Sequence, residues 1–188
     1  MKIILASASP RRKELFAQIF EKFEIIPATG EERANLSSPP GQIAKQLAAA
    51  KCDEVFSSHG GLGIGCDTIV VLDGKVLGKP KDEEDAYNTL KALSGREHSV
   101  ITGVCVRYKD KRIVDCEVSI VTFNTLSEQF IKDYIKSGSP MDKAGSYGIQ
   151  DKGVVKDCKG SFTNVVGMPV ELVKKMIEEV LEDETFGN

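Results

Sequence analysis

The sequence predicts an α/β domain built on a mixed rather than a purely parallel sheet. Three observations carry this. Strand-like and helix-like segments alternate along the chain. Asp73-Gly74 joins two apolar runs, the strongest short hairpin signal. Two long β-branched runs flank a polar turn at 109–111 and read as a second hairpin. Two hairpins within an alternating chain exclude a simple doubly wound sheet. The 188 residues suffice for one hydrophobic core without disulfides, and residues 1–188 read as a single domain.

Each element has its own signal. Lys2 to Ala6 is a short apolar run closed by serine, hence a buried strand. Ser9 can cap a helix with Pro10 in its first position, and Leu15, Phe16, Ile19 and Phe20 recur at helical spacing. Phe23 to Ile26 is a second strand, and Pro27 to Pro40 a polar loop. Gln42 to Phe56 reads as a helix with Ile43, Leu47, Ala50 and Val55 on or near one face. Gly63 to Leu72 is a strand, and Lys75 to Leu77 returns after the Asp73-Gly74 turn. Asp82 caps a helix reaching Leu93 and stopped by Ser94-Gly95. Ser99 to Tyr108 and Arg112 to Phe123 are the long hairpin. Ser127 caps a helix to Lys136, and Gly138 to Lys152 is irregular. Gly153 to Cys158 is a further strand. Pro169 opens a last helix to Leu181, with Leu172, Val173, Met176, Ile177 and Val180 as its buried stripe.

Bulk properties narrow the function. A formal net charge of −3 excludes a broadly basic surface for nucleic acid, so any phosphate recognition must be local. No run approaches the ~20 apolar residues of a membrane span, and the apolar start is too short for a signal peptide. Five cysteines, odd in number and without a Cys-x-x-Cys pair, argue against a disulfide framework or structural zinc. They fit thiols in a reducing, cytoplasmic setting.

Several segments could carry chemistry. Ser7-Ala8-Ser9-Pro10-Arg11-Arg12 joins a strand to a helix, where backbone amides favour an anion. Two arginines there oppose the helix dipole, by about 0.3–1 kcal/mol each when exposed. They are either solvated or kept for a ligand. Asp67, within Gly65-Cys66-Asp67-Thr68, interrupts an apolar strand: it faces water at an edge, or it is a metal ligand or general base. Lys79, in Leu77-Gly78-Lys79-Pro80, offers a point charge to phosphate. In Asp142 to Gln150, the Gln150 amide could read a base edge. Glu31-Glu32 could hold a divalent cation, or simply be solvated. There is no Gly-x-x-x-x-Gly-Lys-Ser/Thr loop, and His98 reads as structural.

In their order and spacing these segments, together with Ala50-Lys51, Leu93-Ser94-Gly95, Thr102-Gly103-Val104 and Asn164 to Pro169, resemble the Maf family of nucleoside triphosphate pyrophosphatases. The resemblance runs nearly end to end. It implies an elongated mixed sheet flanked by helices, two lobes around a cleft, and a fold similar to inosine triphosphate pyrophosphatases. It implies hydrolysis between the α and β phosphates, a divalent cation (Mg or Mn), and a homodimer. By position, Asp67 matches the family's catalytic acid, which the resemblance implies acts as proton acceptor. Ser7, Arg11, Arg12, Lys51 and Lys79 match phosphate-handling positions, and Glu32 an acidic position near the metal. Arg12, Thr68 and Gln150 match the branch similar to dTTP/UTP enzymes rather than the branch similar to 7-methyl-GTP enzymes. Cys66 departs from the usual alanine and raises a question of oxidation sensitivity.

The expected mechanism places a cation, held by Asp67 and Glu32, on the triphosphate, with the cationic side chains around the β and γ phosphates and Asp67 directing the attacking water. The expected substrates are dTTP and UTP, with CTP and modified pyrimidine nucleotides as further candidates. The rival readings are a nucleotide-binding regulator of cell division with little turnover, and an RNA-associated protein, which the acidic balance disfavours.

Overall fold

The structure is a computed structural model that describes residues 1–30 and 34–182. Glu31 and Glu32 lie outside the described residues. Among the described residues seven strands form one sheet: β1 (Ile3–Leu5), β2 (Glu24–Ile25), β3 (Leu62–Leu72), β4 (Lys75–Leu77), β5 (Glu97–Tyr108), β6 (Lys111–Phe123) and β7 (Val155–Lys159). Their order is β2-β1-β3-β5-β6-β7, with β4 paired to β3. β1 runs parallel to both β2 and β3, and all other pairings are antiparallel. The sheet is therefore mixed, as the two hairpins require. Among the described residues six α-helices accompany it: α1 (Pro10–Phe16), α2 (Pro40–His59), α3 (Glu83–Leu93), α4 (Glu128–Lys136), α5 (Phe162–Val166) and α6 (Val170–Leu181).

Alternation along β3 sorts the core onto two faces. Leu62, Ile64 and Cys66 pack with Leu15 and Phe16 of α1 and the Val170, Val173, Met176, Ile177 and Val180 stripe of α6. Val70 and Leu72 continue this face against α3 and α4. Ile69 and Val71 turn the other way, onto Ile43 and Ala44 of α2. Glycine lets α2 approach closely. A Cβ at Gly103 would stand 2.1 Å from the Ala44 carbonyl oxygen, and one at Gly65 2.5 Å from that of Ala48.

The capping signals hold. Ser9, Asp82 and Ser127 accept from the backbone N–H of Arg12, Asp85 and Phe130. Asp73 and Gly74 take φ of 51° and 76°, the left-handed pair that a tight hairpin turn needs. Other expectations shift. The long hairpin closes on Lys109-Asp110 alone, because Lys111 already pairs with Tyr108. α2 extends to Pro40 and His59, and its buried side is Ile43, Ala44, Ala48, Ala49, Cys52 and Val55. Ala50 is only half-buried and does not belong to that side. Pro169 precedes the last helix as its cap residue. α5, which periodicity does not disclose in five residues, starts at a Ser161 cap and stops at Gly167 with φ 130°.

Candidate active site

The far edge of β3 is covered in two pieces. β1 pairs it as far as Ile64, and β4 takes it up again at Val70. Between them, Gly65 to Ile69 have a strand partner only on the β5 side. Asp67 and Thr68 lie at the middle of this gap. Successive side chains leave a strand on opposite faces, so Asp67 turns toward α2 and Thr68 toward α1 and α5. A cleft of about 710 Å³ opens here, in the size range of small-molecule sites. Ser7, Arg11, Arg12, Lys51, Asp67, Thr68, Lys79 and Gln150 all line it. Of the residues singled out in the sequence, Glu31 and Glu32 lie outside the described part.

Lys51 projects from α2 and forms an ion pair with Asp67 Oδ1. Their side chains are 20% and 12% exposed, so the pair is largely withdrawn from water yet reachable from the cleft. The close seating of α2 on Gly65 and Gly103 is what brings the amine within reach. No described residue donates a hydrogen bond to Asp67 Oδ2.

Arg12 is anchored from three sides. Its Nε donates to the Gly167 carbonyl at 2.8 Å, Nη1 to Ser7 Oγ at 3.4 Å and Nη2 to Thr68 Oγ1 at 3.1 Å. Thr68 Oγ1 lies 2.9 Å from Thr102 Oγ1, whose hydroxyl donates to the Asn164 carbonyl at 2.9 Å. Thr102 and Asn164 are fully buried, so this chain is rigidly held. Arg11 pairs with Asp142 Oδ2 at 3.0 Å, and Lys143 holds Asp142 Oδ1 at 2.8 Å. Against partial burial, the bonds from Lys143 and Arg11 keep the Asp142 carboxyl below its ordinary range. Neither arginine is simply solvated: both are held by partners within the chain at the mouth of the cleft.

Three contributors escaped the sequence reading: Asp142 as the partner of Arg11, Thr102 behind Thr68, and the Gly167 carbonyl beneath Arg12. The segments containing them stood out, but long-range pairing is invisible along one chain. Cys66 is fully buried, and burial pushes its thiol up to about 12. So little thiolate forms that oxidation at this position is disfavoured. His98 is structural: its Nε2 meets the Tyr147 hydroxyl at 2.7 Å, and Phe123 and Tyr147 pack edge-on against its ring.

A family model described as "Maf-like protein" matches residues 2–180. The chain belongs to the Maf family. Among Maf relatives, the dTTP/UTP pyrophosphatase of Ruminiclostridium cellulolyticum is 48% identical over 96% of this chain and 96% of its own length. The dTTP/UTP pyrophosphatase of Thermococcus gammatolerans is 46% identical over 94% of this chain and 95% of its own. The fold is shared with the Ham1 protein of Staphylococcus aureus, at a TM-score of 0.57 and 14% identity, covering 95% of this chain and 99% of that one. The Maf match and the cleft coincide: Arg11, Arg12, Asp67, Lys79 and Gln150, scattered over the matched segments, meet in one cavity.

Proposed function

We propose that the protein is a nucleoside triphosphate pyrophosphatase that cleaves dTTP and UTP to the nucleoside monophosphate and pyrophosphate. The observation that supports it is the convergence of Arg11, Arg12, Lys51 and Lys79 with the carboxylate of Asp67 in one cleft. A triphosphate needs such clustered cationic donors, and a binder without turnover has little use for a carboxylate facing phosphates.

In this reading Arg12, already fixed by Gly167, Ser7 and Thr68, offers a preorganised fork to phosphate oxygens. Arg11 leaves Asp142 for the substrate, and Lys79, exposed at the rim, follows the terminal phosphates. Lys51 neutralises and orients Asp67, whose free oxygen accepts the proton of the water that attacks the α-phosphorus. Pyrophosphate departs with its charge neutralised by the same cations.

A divalent cation, Mg or Mn, fits this donor set. Among the described residues no group of three acidic, histidine or cysteine side chains forms a protein cage. Magnesium commonly uses one or two carboxylates and completes its shell with substrate phosphates and water. Asp67 would supply one carboxylate, and Glu32 is our proposed second. The cation would add charge neutralisation at the phosphates. For the base, Thr68 and Gln150 offer polar groups suited to a pyrimidine edge; CTP and modified pyrimidine nucleotides are further proposed substrates. We also propose that the enzyme works in the cytoplasm, in keeping with five free cysteines, and that it acts as a homodimer. No helix among the described residues is long and apolar enough to cross a membrane.

Hydrolysis of dTTP, UTP, CTP, GTP and 7-methyl-GTP with Mg or Mn, with products separated, tests the assignment. Monophosphate and pyrophosphate in equal amounts, fastest from dTTP or UTP, are expected. Preference for a purine rejects the base assignment, and release of single phosphates rejects the reaction.

A further inference from the structure

Residues 148–151 form a tight turn, closed by the Asp151 N–H donating to the Gly148 carbonyl at 3.0 Å. Gly148, Ile149 and Gln150 of this turn line the cleft, whereas Asp151 does not. Gln150 is exposed and makes no hydrogen bond to the described residues. An exposed glutamine on a loose turn would be a poor reader of a base, because binding would have to order both its backbone and its side chain.

This turn is not loose. Tyr134 of α4 donates its hydroxyl hydrogen to Asp151 Oδ2. The same phenol oxygen accepts the Gly148 N–H at 3.1 Å, so one side chain clasps both ends of the turn. Ser139 Oγ donates to the same Asp151 oxygen at 2.8 Å. Burial, and then the bond to Asp151, push the Tyr134 phenol up, so it stays a donor at neutral pH. Gly148 leaves no room beneath: a Cβ there would stand 2.9 Å from Asp151 Oδ2 and 3.2 Å from Lys143 Cε.

We propose that Asp151, gripped by Tyr134 and Ser139, is a positioning residue for base selection, fixing the turn that presents Gln150 without itself touching the nucleotide. The proposal rests on the pyrimidine reading above. It separates two functions of the cleft: cations from α1, α2 and the β4 end take the phosphates, while a bolt anchored on α4 sets the base.

The test compares the wild type with Tyr134→Phe, Asp151→Asn, Asp151→Ala, Gln150→Ala and the Asp151→Ala/Gln150→Ala double variant. Each is assayed for kcat and KM on dTTP and dGTP, with thermal midpoints recorded. For Tyr134→Phe and Asp151→Ala, kcat/KM on dTTP should fall about tenfold through KM, as expected when a recognition hydrogen bond loses its orientation, with dGTP changed less than about threefold. Asp151→Asn, which keeps an acceptor for both hydroxyls, should recover most of the preference. Adding Gln150→Ala to Asp151→Ala should cost no more than either alone, because both act on one contact. Equal losses on both nucleotides, or additive losses in the double variant, overturn the bolt. If Asp151→Ala does not fold, Tyr134→Phe carries the same test. A wild type that favours dGTP overturns the pyrimidine reading and this proposal with it. A wild type that favours dTTP, with the preference intact in the variants, overturns this proposal alone.

Discussion

Asp67 and Lys51 form an ion pair that is mostly out of water. Such a pair adds little stability over an apolar pair, but removing one partner leaves an uncompensated charge. Lys51→Ala should therefore lower both stability and turnover; denaturant unfolding would show a loss of up to about 3 kcal/mol, at the low end of the buried range because the pair is partly exposed. His98 gives the second prediction at this scale. Burial lowers its folded-state pKa to about 4 from an ordinary value near 6.5. The unfolded chain then binds the extra proton between these values. The contribution is fully present above about pH 6.5 and is lost as pH falls toward 4, a total of about 3 kcal/mol from the shift. Urea midpoints from pH 7.5 to 4.5 should fall more steeply for the wild type than for His98→Phe. Parallel slopes would show that His98 does not drive the change.

At the scale of elements, what the sequence disclosed was local chemistry. Ser9, Asp82 and Ser127 announced their helices because a cap acts within four residues, and Asp73-Gly74 announced its hairpin through backbone conformation. Asp67 and Thr68 stood out as polar residues in an apolar strand. The partners of Arg11 and Arg12 did not, since Asp142 and Gly167 lie more than a hundred positions away. Nor did the meaning of Gly65 and Gly103, which match no nucleotide motif. Their role is to seat α2, and so Lys51, on the sheet. Gly103→Ala would drive a methyl into the Ala44 carbonyl, and should lower stability by at least the 1–3 kcal/mol typical of overpacking and slow turnover by displacing Lys51. A thermal midpoint and kcat equal to the wild type would contradict this. A milder control is Ser127→Ala, which removes only a cap and should cost about 1 kcal/mol with kcat unchanged.

At the scale of the molecule, the sheet does the assembling. β1 and β4 cover the edge of β3 from opposite ends and leave a short gap at its centre. α1 begins beside that gap, α2 crosses one face, and the 142–150 segment and α5 close the other side. An acidic protein thus gathers cationic side chains at one place without a basic surface. Because the proposed cation depends on substrate oxygens as much as on protein carboxylates, a chelator should abolish turnover while leaving the thermal midpoint unchanged. A large drop in the midpoint would instead indicate a structural metal. The most direct test of the central claim is dTTP hydrolysis by Asp67→Asn. The substitution keeps the side chain's shape while removing its charge and basicity. kcat should fall by about 10²–10⁴, as for loss of a general base, with the variant folded and dTTP still bound. Near-normal turnover by the folded variant would contradict the account.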